Sequence, residues 1–508
     1  MLVKSKILRD TILLTAMQLL LDTSALLLNA FIMRRLGASA IGILTLMGSF
    51  LMLAGVISNG NAFLCTSRLI SEELGKPNSN PNRVLLHGVS LCLLLSGAVS
   101  VAVIAFADVI SGKFFSGAHI ASAVKLMPFA LILGAVSACL KGWFNAFRKA
   151  GVSAVGEIIE FFVKAAVITV MTLTAHDPDE ASVCRIMIFG IIAGSISSFV
   201  YFSVQYLIRR ESYTGRSSLS FRKYASYAFP IMGGGLLTAV LSSTNDALIP
   251  ICLRQGGDTA EQAFSRFGIF EAIVIPTLFF PSVVLCSMSG IIVSEIARAC
   301  AEGNSERIRS IAQRVTRWTV IFAVFAAAVL MRFGIAIGKL LGGGYDAGRI
   351  ITIIAPVVPF IYLEIVCEAI IKGMGKQAFS SLNYLAEYIV RISAVLIFVP
   401  RLGFYGIVAS YYSSNVIGNC SRLAKTVRLT GMKMRPVRDI FVPPMYAFLT
   451  MGAAELLMRP FERFSESPAY MCFQTLIWGA GYFAIFCGLA DRGKKACNYP
   501  ISFGRSAQ

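Results

Sequence analysis

The sequence predicts an all-α polytopic membrane protein of about fourteen transmembrane helices. These divide into two six-helix lobes related by a parallel repeat, followed by two added C-terminal helices. Three observations lead there. Charged residues make up only 14% of the 508 positions and hydrophobic ones 56%, with a mean hydropathy of +0.72, whereas soluble domains hold about 25% charged residues. Apolar runs near twenty residues long recur between short polar connectors, as a hydrocarbon core of about 30 Å demands of helices. Words from the first half of the chain also return, in order, in the second.

The spans fall near 11–33, 42–65, 84–106, 123–141, 152–173, 185–208, 227–251, 268–292, 317–338, 350–371, 379–399, 404–425, 440–458 and 470–489. Lys4, Lys6 and Arg9 precede the first run, as in a signal peptide. That run is too long for a signal-peptide core, and Arg34-Arg35-Leu36-Gly37 follows it in place of a small-residue cleavage site. It is expected to remain as the first helix.

The formal charge of +19 does not point to nucleic acid, because the basic residues alternate by connector. Of the 46 Lys and Arg, 31 fall in alternate segments that include both termini, 13 in the opposite connectors, and Lys164 and Arg391 inside spans. This asymmetry places both termini in the cytoplasm and the protein in the cytoplasmic membrane. The strongest inside markers are "RRESYTGRSSLSFRK" (209–223) and "RLAKTVRLTGMKMRPVR" (422–438). The twelve cysteines are scattered singly and the three histidines sit at span ends or in connectors, without metal or redox spacing.

The repeat rests on four matches. "LLTA" occurs at 13–16 and 236–239, and "EELGKPN" (72–78) corresponds to "ACAEGN" (299–304). "KGWFNAFRKAGVSAVGEIIEFFVK" (141–164) and "KGMGKQAFSSLNYLAEYIVR" (372–391) share their opening Lys-Gly and their closing Glu, aromatic, apolar, Val, base. All four offsets lie between 223 and 231, six spans, so the halves run in the same direction. The expected domains are an N-terminal lobe 1–208, a basic linker 209–226, a C-terminal lobe 227–438, and two further helices with a cytoplasmic tail at 439–508. Repeats of this kind place a substrate path at their interface. Six in-span prolines, Pro230, Pro250, Pro276, Pro281, Pro356 and Pro359, are expected to kink helices.

Charges inside the spans are the candidate functional residues, since one at the bilayer centre costs about 2.5–3.5 kcal/mol on insertion scales and must face protein or water. Glu157, Glu160 and Lys164 share one face of the fifth span, and Glu160 with Lys164 forms an i,i+4 pair in the favoured order. Glu387 and Arg391 repeat that pair in the eleventh. Glu364, Glu368 and Lys372 stripe the tenth; the last two lie near its end, within reach of water. Each acid–base pair is read either as a helix staple or as part of a transport path. Asp22 in the first span and Asn245-Asp246 in the seventh have no base within a helical turn. They are read as cavity or ion-site residues and candidate proton acceptors. A phosphate-binding G-x-x-x-x-G-K-[ST] loop is missing, as is any nucleophile set, so the chain is not expected to be an enzyme or to hold a cofactor or metal.

Several stretches resemble the stage V sporulation protein B family of polysaccharide exporters, within the multidrug/oligosaccharidyl-lipid/polysaccharide superfamily. They are "IMRRLGASAIGILTL" (32–46), "TSRLISEELGK" (66–76), "LKGWFNAFRKAGVSAVGEIIEFFVK" (140–164), "FGIFEAIVIPTLFFPSVVLCSMSGIIVSEIARA" (267–299) and "EAIIKGMGK" (368–376). The resemblance covers roughly residues 5–430. It implies a two-lobed bundle that flips an undecaprenyl-linked glycan or peptidoglycan precursor, with relatives among lipid II flippases and among multidrug exporters driven by H⁺ or Na⁺. It also implies headgroup contacts at Arg34, Arg35 and Arg68. The chain departs from the family where "ALLLNAF" (25–31) lacks the late Gly-x-x-x-Arg element of span one, and where Ser294 replaces a frequent Pro before Glu295. The expected function is thus a flippase for a lipid-linked glycan or other amphiphilic substrate in envelope, spore or polysaccharide synthesis. The alternatives are a cation-coupled drug or small-molecule exporter and, third, a membrane scaffold. Membrane lipids and H⁺ or Na⁺ are the remaining expected partners.

The charge pattern makes a direct prediction. Reporter fusions at Gly215 and Gln508 are expected to read cytoplasmic, and an outside signal at either overturns the topology.

Overall fold

The computed structural model describes residues 2–76, 79–115, 120–175, 180–210, 213, 219–433, 435, 437–464 and 467–496. Residues 211–212 and 214–218 of the expected 209–226 linker, and residues 497–508 of the expected tail, lie outside the described residues. Among the described residues every regular element is helical. In hydrocarbon no water can satisfy a free N–H or C=O, so a spanning chain must close these bonds internally. Runs of about twenty apolar residues do so as helices. The protein is an all-α, multi-pass membrane protein.

Eleven helical segments among the described residues are long and apolar enough to cross a bilayer. One of them, Thr15–Leu74, takes in both of the first two expected spans. At Gly37 the backbone adopts φ 87 and ψ 171, which breaks the Leu2–Asn59 helix between them. Only glycine reaches that conformation at no steric cost. Two more polar helices, Ala150–Thr174 and Phe404–Thr430, stand at the fifth and twelfth expected positions. Every expected span therefore coincides with a helix. Large apolar side chains stay open on the outer faces, with Val101 and Leu456 each 69% exposed and Phe448 71%. Soluble proteins confine such surface to small patches.

The prolines act unequally. The eighth span is broken into Ala260–Gly268, a π-turn at Ile269–Val274, a short helix Ile275–Phe279, a 3₁₀ turn at Phe280–Ser282 around Pro281, and Val283–Ala301. The tenth passes through a 3₁₀ turn at Ala355–Val357 around Pro356. Pro230 and Pro250 lie inside the uninterrupted Phe221–Gln255 helix, and Pro359 sits in the first turn of Val358–Gly373. At Pro230 and Pro250 the helix runs on without a change of helix type, and Pro359 follows directly on the break at Ala355–Val357.

The chain packs into two compact units. One comprises Met1–Met288, Gly338–Ile350 and Gln377–Gly418; the other comprises Ser289–Ile337, Ile351–Lys376 and Asn419–Gln508. In the first unit Trp143, Phe144, Phe202 and Tyr224 are buried around Cys65, Cys92 and Cys139. The Tyr224 and Thr66 hydroxyls meet at 2.7 Å. Where the second and eighth spans cross, Gly42 faces Gly268. A Cβ on Gly42 would overlap the Phe264 carbonyl, and one on Gly268 would overlap Gly42 itself. Small residues of this kind let helix backbones approach closely in membranes.

In the second unit Ile296, Ala312, Val366 and Ile370 form one core, and Ile321, Ala447, Tyr482 and Phe486 another. Trp478 Nε1 donates to the Ala447 carbonyl at 2.9 Å and the Tyr482 hydroxyl to the Ile321 carbonyl at 3.1 Å. The last two spans are thus tied to each other and to the ninth.

Alanine in place of a helical glycine ordinarily stabilises by about 0.5–1 kcal/mol. At Gly268 the sign is expected to reverse, with a loss of about 1–3 kcal/mol from overpacking. Nothing lies within 4 Å of a Cβ at Gly55, so Gly55→Ala is the control in thermal unfolding of the detergent-solubilised protein.

Candidate functional site

A cavity of about 240 Å³ lies within the first unit. Its lining draws Asn245 and Asp246 from the seventh span, Glu271 from the π-turn of the eighth, Tyr388 and Arg391 from the eleventh, and Ser410 and Tyr411 from the twelfth.

Asp246 is half-buried. Its Oδ2 accepts from Ser49 Oγ at 2.5 Å and its Oδ1 from Asn245 Nδ2 at 3.2 Å. Ser243 Oγ donates to the Ser49 carbonyl at 2.8 Å, a second tie between spans two and seven. Asn245 is itself buried, and its Oδ1 accepts no hydrogen bond among the described residues.

Arg391 binds Glu387 Oε1 at 2.9 Å through Nη2 and Ser414 Oγ at 2.9 Å through Nε. Its guanidinium lies 5.0 Å from the Tyr388 ring and 4.9 Å from that of Tyr411, distances at which a ring face attracts a cation. Glu387 is buried. A Cβ on Gly418 would strike its carboxylate, so glycine there lets spans eleven and twelve close over the pair.

Glu271 is half-buried and stands on the one π-turn of the eighth span. The cause of this local irregularity is legible. Pro276 has no N–H to give to the carbonyl four residues back, that of Ala272. Asn29 Nδ2 of the first span supplies the missing donor at 3.0 Å. Such π-turns are frequent at functional sites.

The Arg391 guanidinium acts electrostatically on both Asp246 and Glu271. Three carboxylates thus share one guanidinium. Charges interact strongly where water is scarce, and two of these carboxylates are in excess of Arg391.

The structure brings Asn245, Asp246, Glu387 and Arg391 together. Asp246 lacks a base on its own helix, and the eleventh span provides one. Asp22 does not line this cavity; its Oδ1 accepts from Gln18 Nε2 at 2.9 Å. In the fifth span Glu157 pairs with Lys141 of the fourth. Glu160 acts at longer range on both Lys141 and Lys164. Lys164 lies 5.3 Å from the Phe161 ring. The direct ion pair is therefore between helices and not the i,i+4 pair expected from spacing.

Arg34 donates to the Leu340 carbonyl, while the exposed Arg68 pairs with Glu72 at 3.0 Å and lies 5.0 Å from the Tyr227 ring. Arg35 is exposed. None of these three lines the cavity.

In the second unit Glu364 and Glu368 meet Arg422, at 3.2 and 2.9 Å. Arg422 also donates to Asn419 Oδ1 at 2.8 Å, and Lys372 reaches Glu368 at 3.3 Å. This corrects two expectations. Glu368 does not simply reach for water, and Arg422, only 1% exposed, is a helix-interior base and not part of a basic connector.

Glu271 and Arg422 escaped sequence reading. Glu271 is a lone carboxylate in an apolar run five residues before a proline, which was signal enough. Arg422 was hidden by the basic residues that follow it.

No protein-family model matches the chain. The uncharacterized membrane protein YabM of Bacillus subtilis (strain 168) is 22% identical over 333 residues, 62% of this chain and 59% of that protein. Among solved structures, the lipid II flippase MurJ in an inward closed conformation superposes with a TM-score of 0.70 at 14% identity, covering 95% of this chain and 99% of that one. An inward-facing multidrug resistance MATE family transporter of the MOP superfamily gives 0.61 at 14% identity, over 81% and 96%. A MOP superfamily transporter from Pyrococcus furiosus Vc1, whose reversed pocket polarity suggests a different function, gives 0.59 at 14% identity, over 83% and 96%. The chain shares its fold with these transporters.

Removing one partner of a buried ion pair costs about 3–5 kcal/mol, because the other charge is left uncompensated. Arg391→Gln is expected to lose stability on that scale. The double variant with Glu387→Gln should lose less than the two singles together, with a coupling of about 0.5–3 kcal/mol. Unfolding of the four proteins in one detergent measures it.

Proposed function

We propose that the protein is a transporter that moves a lipid-linked glycan, such as an undecaprenyl-linked precursor, across the cytoplasmic membrane. Its two six-helix lobes, 1–208 and 227–438, alternate access to the two sides, with both termini in the cytoplasm. The observation that carries this reading is the extent of the flippase likeness. It takes in 95% of the chain, while multidrug structures cover 81% to 84%. The stage V sporulation protein B-like words point the same way, toward spore, cell-wall or polysaccharide synthesis. The Asp246, Glu271 and Arg391 cluster is the coupling site in this scheme. Uptake of H⁺ or Na⁺ neutralises an acid, loosens its hold on Arg391 and changes how spans seven, eight, eleven and twelve pack.

A second reading, cation-coupled export of a drug or small molecule, is favoured by the acidic excess of the same cavity. The two are separated by reconstituting the protein in vesicles. Flippase function predicts that a fluorescent undecaprenyl-linked glycan present in the inner leaflet becomes accessible to an impermeant external quencher within minutes. Drug export predicts instead that ethidium or tetraphenylphosphonium is expelled down an ion gradient while the lipid stays on one side.

Asp246→Asn and Glu271→Gln are each expected to slow translocation at least tenfold and to flatten its dependence on pH and Na⁺. Asp22→Asn is expected to act less, because its carboxylate stands apart from the cavity and is held by Gln18. Wild-type rates across pH for Asp246→Asn and Glu271→Gln would exclude the cluster from coupling.

A further inference from the structure

A second and larger cavity, about 680 Å³, lies in the first unit and belongs to no part of the cluster above. Three helices begin there: Ala260–Gly268, Gly344–Ile354 and Phe404–Thr430. Their leading connectors join spans seven to eight, nine to ten and eleven to twelve, so all lie at one end of the bundle. The charge pattern assigns that end to the outside. The volume falls within the range of small-molecule sites, about 300–1,000 Å³.

The lining is polar and held in place. Arg266 gives both oxygens of Asp258 hydrogen bonds of 2.8 Å. Gly403, at φ +57, brings the chain against the same guanidinium, 3.1 Å from where a Cβ would stand. The Arg349 guanidinium lies 5.6 Å from the Tyr405 ring. Glu261 and Asp346 occupy the first turns of their helices, where acids offset the positive helix end. Arg266 and Arg349 stand among Glu261, Asp346 and the Asp258 that Arg266 holds, so the cavity presents closely mixed donors and acceptors, with one acid in excess, beside the rings of Phe404 and Tyr405.

From this we infer that the cavity is an exit-side binding site for the sugar portion of the cargo. A polyanion such as a pyrophosphate would meet two carboxylates, and a lipophilic cation would meet two guanidiniums. Vicinal hydroxyls suit the set. They donate to the carboxylates of Glu261 and Asp346, accept from Arg266 and Arg349, and leave an apolar ring face for Tyr405 or Phe404. A site of this size takes a short oligosaccharide. It would hold the glycan once the headgroup had crossed and so disfavour its return. The inference rests on the flippase reading and extends it to the class of group recognised.

The test uses full-length protein in detergent with lipid-free probes: maltotetraose, chitotetraose and oligogalacturonate, against inorganic pyrophosphate and tetraphenylphosphonium. Saturation-transfer NMR titration is expected to show saturable binding of at least one oligosaccharide. Arg349→Ala and Tyr405→Ala should each weaken it at least tenfold. Arg349→Lys keeps the charge but loses the planar stack and should weaken it less. Leu456→Ala, on an outward apolar face, should change nothing. Unfolding temperatures identify any variant that fails to fold, and Arg349→Lys then decides.

No oligosaccharide binding by the folded wild type, binding insensitive to these variants, or preference for pyrophosphate or tetraphenylphosphonium overturns the proposal. Sugar binding without lipid translocation in vesicles would leave the cavity standing and remove the flippase reading. Translocation without sugar binding would do the reverse.

Discussion

One guanidinium organises the polar interior of the first unit. Arg391 is anchored to Glu387 and Ser414 and flanked by two tyrosine rings. From there it faces Asp246 and Glu271, which come from two other helices. A carboxylate cannot be left alone in such surroundings without a penalty of several kcal/mol, so the positions of spans seven, eight and eleven are mutually dependent. Ser49 and Ser243 extend the dependence to span two. Holding three acids with one base is less stable than a matched set, and in the proposed scheme that imbalance is what a cation relieves.

Backbone defects place the groups that matter. Pro276 leaves the Ala272 carbonyl without its helical donor, Asn29 fills the vacancy from the first span, and the π-turn between them presents Glu271. An ideal helix would have been more regular but would have turned this carboxylate differently. Gly418 plays the same part for Glu387, since only a missing side chain leaves room for the carboxylate between two helices.

The fold was legible because the bilayer imposes two blunt requirements, apolar length and internal hydrogen bonding, that the sequence meets span by span. Even the two polar helices were readable, since Ala150–Thr174 and Phe404–Thr430 fill gaps in an otherwise regular series. The site was legible only in part. Asn245, Asp246, Glu387 and Arg391 stand out as polar groups in apolar runs, but nothing in their spacing says that residues 246 and 391 meet. Local spacing was misleading for Glu160 and Lys164, where a base from the neighbouring helix, Lys141, took the nearby Glu157. Arg422 shows the converse error. A charge near a span end reads as solvated until packing shows that two acids have drawn it inward.

The meeting of Gly42 with Gly268 has a mechanical consequence. Most helix contacts are geared, because side chains on one surface sit between those on the other and must leave their rotamer wells before either helix can turn. At this crossing the two surfaces are bare backbone. Between these two residues no side chains mesh, so at that point the contact behaves like a plain journal bearing, close-fitting but without teeth. Span eight carries Glu271 one turn beyond, so the turn that holds the carboxylate lies next to the smoothest point of its contact with span two.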